Sequence, residues 1–247
     1  MLDTCADAAF STNALIRAIS PASDELALAF WAAVASAGLE DPDSHLIIAE
    51  EIPTPSSSPQ DSVHGHQDGN GNVNGNGPPN MNMNKDSAVF LGFAKWVLVP
   101  EGCHHVPGVL HFTEGLVETG VDGVKLDAVE LAGDVELAKS FFAEQSERHE
   151  RFMGERRHWY LELICTRPEG RGMGAGRELV RWGVERADRE DKGERACEMY
   201  LEASPQGRPL FEKFGFRVVE RKEYLDGGYV ECSMMRGGEE TGKGVVV

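Results

Sequence analysis

The sequence lacks paired cysteines. Its five cysteines are scattered along 247 residues with no CxxC pair among them: Cys5, Cys103, Cys165, Cys197 and Cys232. Zinc ribbons and disulfide frameworks need closely or regularly spaced cysteines, so we expect no bound metal of this kind. Isolated thiols are typical of buried, inert side chains in a reducing compartment.

Long apolar runs are missing as well. No stretch approaches the roughly 18 apolar residues that a membrane-spanning helix requires. Residues 1–13 contain neither a basic residue nor the apolar segment of a signal peptide. We therefore expect no membrane partner and a cytoplasmic location, with the nucleus as the alternative.

Basic residues are scarce relative to acidic ones. Lys and Arg number 24 and Asp and Glu number 41, which gives a formal net charge of −17. Such a chain repels phosphate backbones, so we expect no nucleic-acid partner. An amine or a basic peptide would be attracted to it, although the same charge can serve solubility alone.

One stretch of the chain has almost nothing to bury. Residues 53–87 are rich in Pro, Ser, Gly and Asn, whereas hydrophobic residues make up 41% of the whole chain. A segment of this composition cannot offset its ordering entropy. We expect a single domain over residues 1–247 that carries a disordered insertion at about 53–87 and a flexible tail at about 237–247.

Regular elements are predicted on both sides of this insertion. Apolar residues recur at helical spacing over residues 26–34, and residues 46–49 and 88–99 are strand-like, with Gly92 as a candidate bulge. A long helix is expected between an N-cap at Asp134 and a glycine stop at position 154, with His149 at the edge of its apolar face.

The clearest pattern begins at residue 158. Residues 158–166, HWYLELICT, alternate as a strand does. Strict alternation would place two sets of side chains on opposite faces: Trp159, Leu161, Leu163 and Cys165 on one, Tyr160, Glu162, Ile164 and Thr166 on the other. Pro168 ends the strand, and a glycine-rich turn and a helix follow. This order of elements is typical of pyrophosphate binding, because first-turn N–H groups are free to point at the anion.

Two kinds of protein use this arrangement. The Rossmann pattern GxGxxG/A fits Gly170, Gly172 and Ala175, but four residues separate it from the strand, and no repeated strand–helix unit surrounds it. The spacing Pro168-x-x-Arg171-x-x-Gly174-x-Gly176 resembles instead the acyl-CoA loop of the GCN5-related N-acetyltransferase (GNAT) superfamily.

The resemblance continues beyond the loop. Residues 194–203 stand where that family has its next strand, and residues 204–216, SPQGRPLFEKFGF, are similar to its closing motif. Two last strands, 217–224 and 229–235, follow, joined by a glycine-rich turn. The family implies an α/β (α+β) fold: a mixed, mostly antiparallel central sheet flanked by helices, with one splayed pair of parallel strands.

The resemblance also implies a site for acetyl-CoA as co-substrate. The pantetheine arm would lie in the gap of the splayed pair, against Ile164, Cys165 and Thr166, with Ser204 at the end of the next strand. The pyrophosphate would lie on the loop residues Arg171, Gly172, Met173, Gly174, Ala175, Gly176 and Arg177. The alternatives are close helix–sheet packing for the glycines and a plain helix cap for Ser204.

Amine acetylation makes further demands on the site. An alkylammonium with a pKa of about 10.4 must lose a proton before it attacks a thioester. Glu162 is the candidate base, because a carboxylate within an apolar strand is costly unless it is paired or used. The alternative is that Glu162 points to solvent or to an arginine.

The sequence departs from the family at position 211. The family commonly has a tyrosine there, placed at the thiol, whereas this chain has Phe211. Water, Tyr160 or Tyr200 would then serve as the acid, or the step needs none. The sequence favours an acetyl-CoA-dependent N-acetyltransferase acting on a primary amine of a small molecule or peptide. The alternative is a non-catalytic acyl-CoA-binding module of the same fold.

Overall fold

A computed structural model describes residues 13–19, 42–51, 88–105, 120–121, 124–125, 134–190 and 197–238. The helix predicted at 26–34, the insertion at 53–87 and residues 239–247 of the predicted tail lie outside these ranges. Among the described residues, no helix is both long enough and apolar enough to cross a membrane.

The core element is a six-stranded mixed sheet. Its strands are β1 (Ser44–Glu51), β2 (Val89–Val99), β5 (His158–Thr166), β6 (Glu198–Ala203), β7 (Arg217–Tyr224) and β8 (Tyr229–Arg236), and two-residue strands β3 (Gly120–Val121) and β4 (Val124–Lys125) pair separately. The order is β1-β2-β5-β6-β8-β7, and β5 with β6 is the one parallel pair among these described strands. The predicted fold class is therefore confirmed.

Four α-helices accompany the sheet in the described ranges. They are α1 (Ala14–Ile19), α2 (Val135–Met153), α3 (Ala175–Glu190) and α4 (Arg208–Glu212). The Asp134 carboxylate accepts a hydrogen bond from the Leu137 N–H at 2.9 Å, and Gly154 ends α2 in the left-handed region at φ 52°. Both predicted ends of α2 are confirmed, because each matches the chemistry of a helix cap.

Apolar side chains cover both faces of the sheet. On the α3 face, Trp96 and Trp159 pack with Leu179 and Val180 of α3 in a buried apolar cluster. On the α2 face, the cluster contains Val97, Val99, Met153, Tyr160, Tyr200 and Met235. The sheet is thus the middle layer of three, which positions the ends of its strands between α2 and α3.

The pairing of β2 with β5 contains a bulge. Trp96 pairs with Leu161, but Lys95 pairs with Leu163, so Glu162 is an extra residue on β5. An extra residue in one strand interrupts the ladder and reverses the facing of every side chain that follows it.

The strict alternation predicted for β5 is therefore wrong beyond Leu161. Ile164 packs with the α3-face cluster, and the Thr166 methyl also lies on that side, 3.5 Å from where a Cβ on Gly176 would be. Leu163 and Cys165 pack on the opposite side of the sheet. Glu162 thus shares a face with Tyr160 but not with Ile164 or Thr166.

Helix α3 approaches the sheet most closely at Gly183. The Trp96 indole N–H donates to the carbonyl of Leu179 at 3.2 Å, and a Cβ on Gly183 would lie 2.2 Å from Trp96 Cε2. The missing side chain at Gly183 is therefore what admits the buried indole beneath the helix.

Substituting Gly183→Ala should lower the free energy of unfolding by about 1–3 kcal/mol, because the new methyl must displace Trp96 in a packed core. Urea denaturation measures the effect. Glu185→Ala, on the exposed side of the same helix, is the matched control and should stay within about 0.5 kcal/mol of the unsubstituted chain. Equal stability of the two variants would contradict the packing argument.

Candidate active site

Strands β5 and β6 diverge partway along their length. They pair from His158 with Glu198 to Leu161 with Leu201, and no β6 residue pairs with the rest of β5, which continues to Thr166. The edge of β5 that faces β6 is therefore not part of a ladder beyond Leu161. The splayed parallel pair expected from the sequence is present.

The main chain at this divergence is accessible. The Glu162 side chain is only 3% exposed, yet the residue as a whole is half-buried, so its exposed surface belongs to the main chain. Ile164 and Thr166 are also half-buried, whereas the side chain of Cys165 is buried against Phe90 and Phe93. A ligand in the gap would meet strand N–H and C=O groups here.

A glycine-rich turn leads from β5 into α3. After a 3-10 turn over Pro168–Gly170, Gly172 and Gly174 adopt left-handed conformations with φ of 77° and 93°. A Cβ on either glycine would meet nothing within 4 Å. The close-packing alternative is therefore wrong for Gly174. Glycine is needed here because it adopts the left-handed conformation at little cost, and the space where a side chain would lie is open.

The first turn of α3 follows these glycines directly. Ala175, Gly176 and Arg177 begin the helix, and first-turn N–H groups have no acceptor within their own helix. A Cβ on Gly176 would only touch Leu210 and Thr166, both at 3.5 Å. Arg171, Met173 and Arg177 are exposed beside this turn. An N-terminus with this chemistry suits a pyrophosphate anion.

Ser204 follows the last residue of β6. Its Oγ accepts a hydrogen bond from the Gly207 N–H at 3.1 Å, in the turn that leads into α4. The bond lies within the turn, and the N-cap of α4 is Gly207, so the plain helix-cap alternative for Ser204 is wrong. The residue is half-buried, and accepting this bond leaves its hydroxyl hydrogen able to donate to a ligand.

Glu162 lies in a buried ion pair. Its Oε2 is 3.1 Å from the Nζ of Lys95 on β2, and both side chains are almost fully buried. The Nε2 of the partly exposed His105 lies 3.4 Å from the same oxygen. Exposure of the Glu162 side chain to solvent, the first alternative weighed, is therefore wrong, and the cation at 3.1 Å is a lysine.

A second buried carboxyl lies nearby on β6. The Tyr160 hydroxyl donates to Oε2 of Glu202 at 3.0 Å. Burial, reinforced by the negative charge of Glu231, raises the pKa of Glu202 to about 8. The sequence analysis missed Glu202, although the cue used for Glu162, an acidic residue within an apolar strand, was equally present.

The sequence model of the family described as "Acetyltransferase (GNAT) domain" matches residues 130–235. This range contains the diverging strands, the glycine-rich turn and both buried carboxyls.

Residues 130–235 belong to the GNAT superfamily.

Individual relatives are distant from this chain. An "Uncharacterized N-acetyltransferase YjcF" of Bacillus subtilis strain 168 is 36% identical over 76 residues, which cover 31% of this chain and 51% of that protein. The chain thus matches about half the length of this curated relative.

Solved structures also show similarity to this chain. A crystal structure of "histone acetyltransferase HPA2 and related acetyltransferase" from Corynebacterium glutamicum shares 18% identity, with a TM-score of 0.49 over 97% of this chain and 91% of that one. Arylalkylamine N-acetyltransferase 2 from Aedes aegypti shares 12% identity, with a TM-score of 0.41 over 62% and 69% of the two chains.

Helix α2 adds a buried polar layer to the GNAT domain. The Arg148 guanidinium pairs with Glu231 of β8 and donates to the Tyr224 hydroxyl at 3.0 Å. Gln145 donates to the other oxygen of Glu231 at 2.9 Å. Burial alone would lower the pKa of Arg148, but Glu231 and Tyr224 hold it above its ordinary value. The guanidinium therefore stays charged.

Two buried histidines of the GNAT domain hold each other neutral. His158 Nδ1 lies 2.6 Å from the Arg156 carbonyl, which can only accept, so this nitrogen carries the proton. His158 Nε2 must then accept from His149 Nε2 at 2.7 Å. Burial lowers the pKa of His149 to about 2 and that of His158 to about 4. The expectation that His149 lies at the edge of its helix face is wrong, because the ring is buried.

The GNAT domain has no hydroxyl at position 211. Phe211 is buried in α4, with its ring 6.0 Å from that of Phe216. Tyr160 and Tyr200 lie on the α2 face of the sheet, and burial raises the pKa of each well above its usual value. Within the described ranges, no three His, Cys, Asp or Glu side chains cluster as metal ligands would.

The histidine pair should make the domain acid-sensitive. The folded rings stay neutral while an unfolded histidine takes up a proton below pH 6.5, so their contribution is full above pH 6.5 and is lost as the pH falls toward 4. His149→Gln keeps a donor to His158 and removes one titrating ring. The slope of unfolding free energy between these pH values should decrease by about 1.4 kcal/mol per pH unit.

Urea denaturation over this pH range measures that slope. His104→Gln is the control, because the exposed His104 has its pKa raised by Glu150, and its removal cannot flatten the profile in the same direction. An unchanged slope in His149→Gln would show that the ring titrates normally in the folded protein.

Proposed function

We propose that this chain is an acetyl-CoA-dependent N-acetyltransferase that acetylates a primary amine of a small molecule or peptide. The observation that carries the proposal is the junction at which β5 leaves β6 and turns, through left-handed glycines, into the first turn of α3. One ligand can span it only if an extended, hydrogen-bonding arm is joined to an anionic group. The family match over residues 130–235 supports this choice of ligand.

The residues present fit acetyl-CoA. The main chain of Ile164, Cys165 and Thr166, on the part of β5 that does not pair with β6, would bond the pantetheine amides, and the Ser204 hydroxyl would lie near the same arm. The pyrophosphate would be held by the N–H groups of residues 171–177, in the open space around Gly174. When bound, acetyl-CoA supplies the thioester carbon that an amine attacks.

The acceptor is inferred from charge and chemistry. A chain with a net charge of −17 attracts cationic amines and repels anionic ones. Glu162 would take one proton from the ammonium group and so free the lone pair. The buried ion pair with Lys95 stabilises the carboxylate, which is the form a base needs.

A second candidate function is acyl-CoA binding without transfer. Phe211 favours it, because that side chain offers no hydroxyl to the departing thiol. The two candidates differ in one measurement. Incubation with acetyl-CoA and spermidine, tyramine or a lysine-containing peptide should release free thiol only if the chain is a transferase.

Acetyl-CoA affinity should depend on Gly176. A carboxylate introduced by Gly176→Asp would face the bound pyrophosphate, and two like charges about 4 Å apart repel by several kcal/mol at a protein surface. The dissociation constant should rise at least about tenfold in titration calorimetry. Gly176→Ala is the matched control, since its methyl would make only ordinary contacts at 3.5 Å. Equal acetyl-CoA affinity in both variants would show that the loop is not part of the binding site.

Turnover should depend on the Glu162 carboxylate. Glu162→Gln removes basicity and should lower kcat by about 10² to 10⁴ while acetyl-CoA affinity is kept. It also leaves Lys95 buried without this partner, a change that can destabilise a protein by about 3–5 kcal/mol. The double variant Lys95→Met, Glu162→Gln removes both charges and serves as the control for folding. If the double variant regains turnover, Glu162 is structural and the base lies elsewhere.

A further inference from the structure

Glu202 occupies a distinctive position beside the gap. It is the first β6 residue after Leu201, which makes the last pairing with β5. It lies on the α2 face, where the Tyr160 hydroxyl from β5 donates to its Oε2 at 3.0 Å. Its Oε1 is shielded from solvent and makes no well-directed hydrogen bond among the described residues, although the Tyr200 hydroxyl also acts on this carboxyl. A buried carboxyl oxygen without a well-formed hydrogen bond calls for a ligand or a chemical role.

The groups around Glu202 determine its protonation. Tyr160 of β5, Tyr200 of β6, Glu231 of β8 and Arg148 of α2 all act on it. Burial first and repulsion from Glu231 second raise its pKa to about 8, against the opposing effects of the two hydroxyls and the guanidinium. Glu202 therefore holds its proton near neutral pH.

The bond from Tyr160 places that proton on one oxygen. Since Oε2 accepts the Tyr160 O–H, the carboxyl proton is assigned to Oε1, which makes no well-directed hydrogen bond in the described part of the chain. Glu202 is thus a buried, protonated acid at the point where β6 stops pairing with β5. Glu162, on the same face of the sheet, is by contrast held as a carboxylate by Lys95.

Two carboxyl groups whose surroundings favour opposite protonation states match the demands of a reaction that needs both an acid and a base. The transfer needs both, because nitrogen must lose protons and the departing sulfur must gain one. Phe211 cannot supply the sulfur's proton.

The geometry points to Glu202 as the general acid that protonates the departing sulfur, in the reaction under Proposed function, on which this inference rests. Glu162 takes a proton from the ammonium group, and the freed nitrogen lone pair forms a bond to the acetyl carbon. The C–S bond breaks with its electron pair on sulfur, and Glu202 gives its Oε1 proton to that sulfur. The second nitrogen proton returns to Glu202, and the proton on Glu162 passes to solvent. The net change is one ammonium and one thioester to one amide, one thiol and one proton.

The dependence of kcat on pH tests this role. In the unsubstituted chain, kcat with a spermidine, tyramine or lysine-peptide acceptor should fall as the pH rises through about 8, because Glu202 loses its proton there. Glu202→Gln keeps an acceptor for Tyr160 but has no acidic proton. Its kcat should be lower by about 10² to 10⁴, without the descending limb, at unchanged acetyl-CoA affinity.

Tyr160→Phe supplies a second, graded test. The lost O–H stabilises the ionised form of Glu202, so the pKa of that carboxyl should rise and the descending limb should move to higher pH. Tyr224→Phe is the matched control: its hydroxyl contacts Arg148 and Glu144, and the limb should stay in place.

Infrared difference spectroscopy provides a readout without turnover. At pH 7 the unsubstituted chain should show a protonated-carboxyl C=O band that disappears as the pH rises through about 8, and Glu202→Gln should lack this band while keeping any band of Glu231, whose pKa burial raises to about 7. If the band is absent, or if the descending limb persists in Glu202→Gln, the inference is overturned while the transferase assignment stands. If the unsubstituted chain binds no acetyl-CoA or releases no thiol, the proposed function fails and the inference fails with it.

Discussion

The parallel pairing of β5 with β6 stops after Leu161 and Leu201, and the candidate site depends on that end point. A continued ladder would join the two strands by main-chain hydrogen bonds and leave no accessible backbone between them. Because the pairing ends, part of β5 pairs with β2 alone among the strands that the structure describes. The gap, the turn into α3 and both buried carboxyls lie around this one interruption.

The sequence predicted the elements near the gap well. Proline and glycine restrict or free the backbone at their own positions. Pro168, Gly154 and the loop glycines therefore predicted where the strand and the helices end. The cap at Asp134 is equally local. The closing hairpin was also predicted, and its turn carries the left-handed residues Leu225 and Asp226 before Gly227.

Register and long-range partners could not be predicted in the same way. An alternating pattern gives the period of a strand but not the point where a bulge shifts its phase, so the facing of Ile164 and Leu163 was wrong. Glu162 pairs with Lys95, which lies 67 positions earlier in the sequence and on a different strand. No local pattern links two residues that are so far apart in the chain. The burial of His149 likewise depends on β5 packing beneath α2, which helical spacing alone cannot reveal.

The close contact between Gly183 and Trp96 has a mechanical consequence for the loop. Helix α3 begins at Ala175, eight residues before this contact, or about 12 Å along the axis. If α3 pivoted about this contact by only about 5°, its first turn would move by roughly 1 Å. Misplacements of that size can cost an enzyme about 10²-fold in rate, so a buried indole about 12 Å from the loop would determine how accurately the first turn of α3 is positioned.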